Sequence, residues 1–327
     1  MIAFGVLGAA RIVPNALVAP CADEPRAAIH CIAARDPARA KAFAREHAIP
    51  VAHSTYREVI DDSAIDAVYN PLPISLHHQW TIDALAAGKH VLCEKSFCSN
   101  AREAEEMAQA AIANERVLMD AFHYRYHPAF RRAREIVESG ELGDIASVEA
   151  AFHVPITDPA DIRLNYETGG GATMDIGCYA ISWARHITGE EPSTVTAIAE
   201  VGPPHVDVFL EAHLEFPSGI RAVVSGDMRE GVSPRIELAV KGERGSMLFQ
   251  NPLAPQHGHR IELDIEGRKT VEKRDRRSTF AYQLDAFIEA IEEGTPLLTG
   301  ADDAVKQMRV IDRCYEAAGL PLRGLAL

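Results

Sequence analysis

Gly5-Val6-Leu7-Gly8-Ala9-Ala10-Arg11-Ile12 decides the fold of this chain. The stretch ends an apolar run of strand length, Ile2–Leu7, and turns at Gly8. A dinucleotide-binding turn here reads G-x-G-x-x-G, with one glycine for the tight turn and a second for close approach to the pyrophosphate. Gly8 is kept, and Ala10 takes the second place. One methyl group is a modest obstacle, because the helix N-terminus after Ala9 still offers free N–H groups to an anion. Taken alone, the stretch fits an ordinary βα turn equally well. Its position after the first strand and before the first helix favours the nucleotide reading. Gly8, Ala9, Ala10, Arg11 and Ile12 are its candidate cofactor-binding residues.

Working outward, apolar runs recur at Ile29–Ala34, Ile65–Tyr69, His90–Cys93 and Val117–Ala121. Their Val and Ile content suits buried parallel strands. Helical spacing fills the gaps at Ala38–His47, Leu76–Ala87 and Ala101–Asn114. Asp36-Pro37 reads as a cap followed by proline at the first helical position. Asn100 with Glu103 reads as a capping box. Alternation of this kind predicts βαβ units and an α/β, doubly wound parallel sheet over residues 1–124. The grammar then changes. A long strand at Ile145–Val154 and a helix opened by Gly169–Gly171 precede six strand-like segments between Thr194 and Ile265, joined by short turns. That pattern predicts an α+β domain over 125–327 with a predominantly antiparallel open sheet. Of the two closing helices, the last is expected to pack back on the first domain.

The 327 residues carry 33 Lys+Arg against 47 Asp+Glu, a net charge of −14. Such acidity argues against a broad nucleic-acid surface, which needs a basic footprint. No apolar stretch approaches the roughly 20 residues of a membrane helix. No basic n-region precedes the apolar start, so a cytoplasmic protein is expected. The six cysteines form no Cys-x-x-Cys pair and read as reduced, packed thiols. No clustered Cys/His spacing suggests a metal, so none is expected.

Chemistry gathers at the predicted strand ends. Arg35 stands after the second strand, where an acidic residue selects NAD; a guanidinium there suits a 2′-phosphate and favours NADP, with NAD as the alternative. Asn70-Pro71-Leu72-Pro73 forms a rigid loop at the carboxyl edge, followed by His77. Glu94-Lys95 places two charges directly after a buried strand, which reads either as a structural ion pair or as part of a cleft. Asp175 and Tyr179 lie four apart on the helix after the glycine run and share one face. An ammonium beside a phenol lowers its pKa from about 10, which makes Tyr179 a candidate acid/base with Lys95 and Asp175 beside it. A buried tyrosine with a satisfied hydroxyl is the plainer reading.

Gly8-x-Ala10, Pro-Leu-Pro-x-Ser-Leu-His, Cys-Glu-Lys, Tyr124-Arg125-Tyr126-His127-Pro128 and Gly-Gly-Gly-x5-Asp-Ile-Gly-Cys-Tyr occur in that order. Together they resemble the glucose–fructose oxidoreductase/inositol dehydrogenase family (Gfo/Idh/MocA), and most of all its dimeric dihydrodiol dehydrogenase and D-xylose 1-dehydrogenase branch. The resemblance implies a Rossmann domain, an antiparallel sheet domain, and hydride transfer between NAD(P) and a sugar, cyclic polyol or dihydrodiol. It places the catalytic acid/base on Tyr179, and the family's Glu-Lys-Pro motif on Glu94, Lys95 and Ser96. Serine here replaces the family proline, so the peptide before it is open to either isomer. Arg125, Arg163, Asp175 and Tyr179 are the substrate-side candidates. The resemblance also implies a homodimer or dimer of dimers through the second sheet. A non-catalytic NAD(P)-binding regulator of the same fold is the rival reading, since fold does not fix function.

Overall fold

The computed structural model describes residues 1–203, 205–273 and 275–325. The chain forms two compact units: residues 1–123 with 278–305, and residues 124–277 with 306–327. The sequence pattern predicts a single boundary at 124/125. The division instead crosses the chain three times, because the segment beginning at Ser278 returns to the first unit.

The first unit is a six-stranded parallel sheet of order β3-β2-β1-β4-β5-β6. Its strands are β1 (Ile2–Leu7), β2 (Ala27–Ala33), β3 (Val51–Ala52), β4 (Ala67–Asn70), β5 (His90–Cys93) and β6 (Leu118–Asp120). The helices between them are α1 (Ala19–Asp23), α2 (Pro37–Glu46), α3 (Tyr56–Asp61), α4 (His77–Ala86) and α5 (Ala101–Ala113). The strand order reverses beside β1, where doubly wound sheets bind ligands. Local chemistry explains the helix starts. Asp36 accepts from Ala38 N at 2.9 Å and Asn100 from Glu103 N at 3.1 Å, while Glu103 reaches back to Ser99 N at 2.9 Å. The returning helix Thr279–Glu293 covers β1 with Phe287, whose ring centre lies 5.8 Å from that of Phe4. His123 Nδ1 meets Thr279 Oγ1 at 2.8 Å.

In the second unit, α6 (Pro128–Glu138) and α7 (Cys178–Thr188) accompany an eight-stranded sheet of order β14-β13-β12-β11-β7-β10-β9-β8. Its strands are β7 (Ile145–His153), β8 (Thr194–Val201), β9 (Asp207–Glu215), β10 (Arg221–Asp227), β11 (Arg235–Gly242), β12 (Gly245–Gln250), β13 (Arg260–Ile265) and β14 (Arg268–Glu272). Every pairing is antiparallel except β7 with β10. The helix that follows the glycine run packs tightly on this sheet. A Cβ at Gly226 would lie 2.9 Å from Gly177 Cα, so two facing glycines set the approach of helix to strand. No helix among the described residues is long and apolar enough to cross a membrane.

Candidate active site

In the first unit the expected cofactor residues collect along the carboxyl ends of the strands. Gly8 adopts φ +104°, and its N–H donates to Ala33 O at 2.7 Å, which fixes the turn from β1. Pro14–Val18 forms a π-helical turn that runs into α1, so Ala9, Ala10, Arg11 and Ile12 lie in the loop that enters it. Arg35 is exposed just past β2. The sequence reading missed its companion, Arg39, whose Nη2 donates to Ala9 O at 2.8 Å. One signal was there to be read: a cation in the first turn of a helix opposes the helix dipole and calls for another partner. The charges of Arg35 and Arg39 both reach Tyr56, whose hydroxyl bonds the Arg35 backbone; burial still raises that phenol's pKa. The loop after β1 thus lies against Arg39, and a second guanidinium stands at the β2 end. That donor set fits a dinucleotide bearing a 2′-phosphate.

The Pro-Leu-Pro loop is held from below. Asn70 is fully buried, donating to Thr81 Oγ1 at 3.1 Å and to His77 O at 3.3 Å. Pro71 and Leu72 are buried, and Pro73 is half-buried. His77 is also fully buried, with Nε2 2.7 Å from Leu72 O and Nδ1 2.9 Å from Ser96 O. A neutral ring donates to only one of these carbonyls. Burial lowers its pKa to about 4. The geometry makes His77 a tie between the proline loop and the segment after β5, with no face left open to a ligand. Glu94 is pinned by Tyr69, whose hydroxyl donates to Oε1 at 2.7 Å. Lys95 follows, half-buried, and the Lys95–Ser96 peptide is cis.

In the second unit, residues Thr173–Gly177 form a π-helical turn leading into α7. Wide turns of this kind occur often at functional sites. Asp175 lies in that turn and Tyr179 in the first turn of α7. Tyr179 is 5% exposed, among the rings of Phe152, Tyr124 and Trp183 at centroid distances of 5.8, 6.1 and 6.2 Å. Asp175 Oδ2 accepts from Arg163 Nε at 2.5 Å, and Arg163 Nη1 also donates to Asp161 Oδ1 at 3.2 Å. Asp175, foremost among the neighbouring charges, raises the Arg163 pKa. Arg163 is therefore an anchored partner of Asp175, its charge matched by two carboxylates. Arg125 is buried.

The glycine run has its own brace. Asp207 accepts from Thr173 N and Oγ1 at 2.7 Å each, from Tyr315 OH at 3.0 Å and from Arg323 Nη2 at 2.6 Å. Arg323 Nε donates to Gly170 O at 2.8 Å. A Cβ on Gly171, at φ +145°, would run into this carboxylate and the Arg323 guanidinium. The base of the Asp175–Tyr179 helix is thus tied to the chain's last residues, across separations that sequence spacing does not reveal.

Comparison with known proteins agrees with this architecture. Residues 2–122 match the model of an oxidoreductase family with an NAD-binding Rossmann fold, and residues 130–248 match that of the GFO/IDH/MocA C-terminal domain. The chain is 35% identical to D-xylose 1-dehydrogenase (NADP(+)) 2 of Haloferax volcanii, over 96% of this chain and 97% of that one. It is 32% identical to trans-1,2-dihydrobenzene-1,2-diol dehydrogenase of Xenopus laevis, over 97% and 98%. Among solved structures, it superposes with a TM-score of 0.90 on KijD10, a 3-ketoreductase from Actinomadura kijaniata in complex with NADP and TDP-benzene, at 27% identity and 97% coverage of both chains. A parallel nucleotide-type sheet, an open mixed sheet and matches in both halves establish that the chain belongs to the GFO/IDH/MocA family of NAD(P)-dependent oxidoreductases.

Proposed function

We propose that the protein is an NADP-preferring dehydrogenase or reductase acting on a CH–OH group, or the matching carbonyl, of a sugar, cyclic polyol or dihydrodiol. The bound nicotinamide supplies or accepts the hydride. In the oxidising direction the substrate hydroxyl gives its proton to the Tyr179 oxygen; in reduction the Tyr179 hydroxyl returns it. The Lys95 ammonium polarises the same substrate oxygen and favours the ionised phenol. Asp175, held by Arg163, accepts from a neighbouring substrate hydroxyl and fixes its orientation. Arg35, with Arg39 beside the phosphate loop, takes the 2′-phosphate.

The observation that carries this reading is the retention of both chemical groups in built positions. Lys95 follows the carboxyl end of β5, and Tyr179 opens α7 one turn beyond an anchored Asp175. A non-catalytic cofactor sensor has no need of either. The likeness to an NADP(+)-linked xylose dehydrogenase supports the same substrate and cofactor class. Steady-state turnover with NADP⁺ and NAD⁺ over a panel of aldoses, inositols and dihydrodiols tests the proposal. Turnover with at least one member, faster with NADP⁺, is expected; tight cofactor binding without turnover of any member would favour the regulator.

A further inference from the structure

A mixed cluster of metal-type donors lies in the first unit, on the β2–β3 side. Cys31 on β2, His53 just past β3 and Asp62 just past α3 place one S, one N and one O donor within 4.8 Å of one another. We propose that these three residues form a binding site for a thiophilic divalent cation of the Zn²⁺ class, with a solvent molecule as its fourth ligand.

Four observations carry the assignment. Sulfur, imidazole and carboxylate together are the donors that Zn²⁺ takes, and three of them with a solvent molecule complete its tetrahedron. The two imidazoles converge on one oxygen: His53 Nε2 is 2.9 Å and His30 Nε2 3.6 Å from Asp62 Oδ2. The other oxygen of that carboxylate already accepts from Ala64 N at 2.9 Å, which orients Oδ2 toward the rings. Finally, the remaining His53 nitrogen, Nδ1, faces the Glu58 carboxylate, with Oε2 at 3.8 Å.

The frame around the donors is fixed. Cys31 pairs with Val51 in the sheet, and His53 N donates to Ile32 O at 2.9 Å. Lys89 Nζ donates to Asp62 O and Ile65 O at 2.8 Å each, which clamps the loop that carries Asp62. Bond lengths of about 2.0–2.3 Å separate tetrahedral donors by about 3.3–3.8 Å, so the His53–Asp62 hydrogen bond opens by a few tenths of an ångström on binding. The proton balance is simple. The S–H bond breaks as the S–metal bond forms, and one proton passes to solvent. The His53 proton moves through solvent from Nε2 to Nδ1, on the side that faces the Glu58 carboxylate. No electron is transferred.

The test uses the full chain and Co²⁺ as the optical probe. The intact protein should bind one Co²⁺ per chain with a thiolate-to-cobalt charge-transfer band, release about one proton, and lose the band to stoichiometric Zn²⁺. Cys31→Ser and His53→Ala should abolish the band. Far-ultraviolet circular dichroism checks that each variant folds. Should Cys31→Ser fail to fold, His53→Ala and Asp62→Asn at the more open positions decide the matter. A wild-type protein with no charge-transfer band overturns the site, as does a band undiminished in a folded Cys31→Ser or in both other variants. None of these readouts involves turnover, so the oxidoreductase reading stands or falls separately.

Discussion

Arg163 Nε lies 2.5 Å from Asp175 Oδ2, while the Asp161 carboxylate holds the far side of the same guanidinium. The pair fixes Asp175 one helical turn before Tyr179. Removing either partner should therefore raise KM for the substrate more than it lowers kcat. A double-mutant cycle of Asp175→Asn and Arg163→Met on kcat/KM should give a coupling of about 0.5–3 kcal/mol, the range for residues in contact. Strict additivity would remove the pair from the site.

Tyr179→Phe removes one hydroxyl from a ring packed among Phe152, Tyr124 and Trp183, so fold and cofactor binding should survive. Turnover should fall by about 10²–10⁴, the usual contribution of a positioned acid or base. Lys95→Ala should cost at least as much, and the double variant little more than either, because groups that act as a unit are not additive. Near-normal kcat in Tyr179→Phe would move the proton to another group.

Cofactor choice should follow the β2 end. The unmodified protein is expected to bind NADPH more tightly than NADH, and Arg35→Asp to erase the difference. Arg39→Ala should weaken NADPH as well, since it removes a guanidinium held against the loop after β1. Fluorescence titration of both cofactors measures this; equal wild-type affinities would sink the assignment of Arg35.

Acid should loosen the proline loop through His77. Its folded-state pKa is lowered to about 4 by burial, below the unfolded value of about 6.5. The unfolded chain therefore binds the proton first as pH falls, and stability declines between pH 6.5 and 4. The span corresponds to about 3 kcal/mol at most. Urea unfolding at pH 7, 5.5 and 4.5 should show a stability gap between wild type and His77→Asn that narrows toward acid. A gap independent of pH would mean that His77 does not titrate in this way.

Assembly is expected through the second sheet, as a homodimer or dimer of dimers. Ile198 on β8 and Val271 on β14, at the two edges of that sheet, stand 63% and 51% exposed. Multi-angle light scattering at micromolar concentration should give a multiple of the 35.6 kDa chain mass. A strictly monomeric mass would count against the sheet as an interface.

The sequence shows its strands best where burial is complete. His90–Cys93 is the strand it reads as, because Val91, Leu92 and Cys93 are buried and its end is marked by charge. It hides β14, whose residues Arg268–Glu272 are polar and largely exposed and owe their place to pairing with β13. It hides β3, only two residues long, and the helix α6, although His127 and Pro128 mark its start. Both π-turns escape a search for a 3.6-residue period. At the site, residue types were legible and partnerships were not. Lys95, Asp175 and Tyr179 stand out by their positions after a strand and a glycine run. The Arg163 bridge, the Arg39 contact and the Asp207–Arg323 brace depend on loops whose closure no local pattern encodes.

Phe287 covers Phe4, yet the two are made at opposite ends of synthesis. At about 5–20 residues per second, a ribosome needs roughly a quarter of a minute to a minute to travel between them. During that interval the first strand has emerged and the whole second sheet is produced, while the helical lid over β1 does not yet exist. A fragment cut after His123, natural as that cut looks on the basis of the parallel sheet alone, would keep this apolar face permanently bare. The order of manufacture thus makes the nucleotide-type sheet, first to be started, among the last parts of the molecule to be finished.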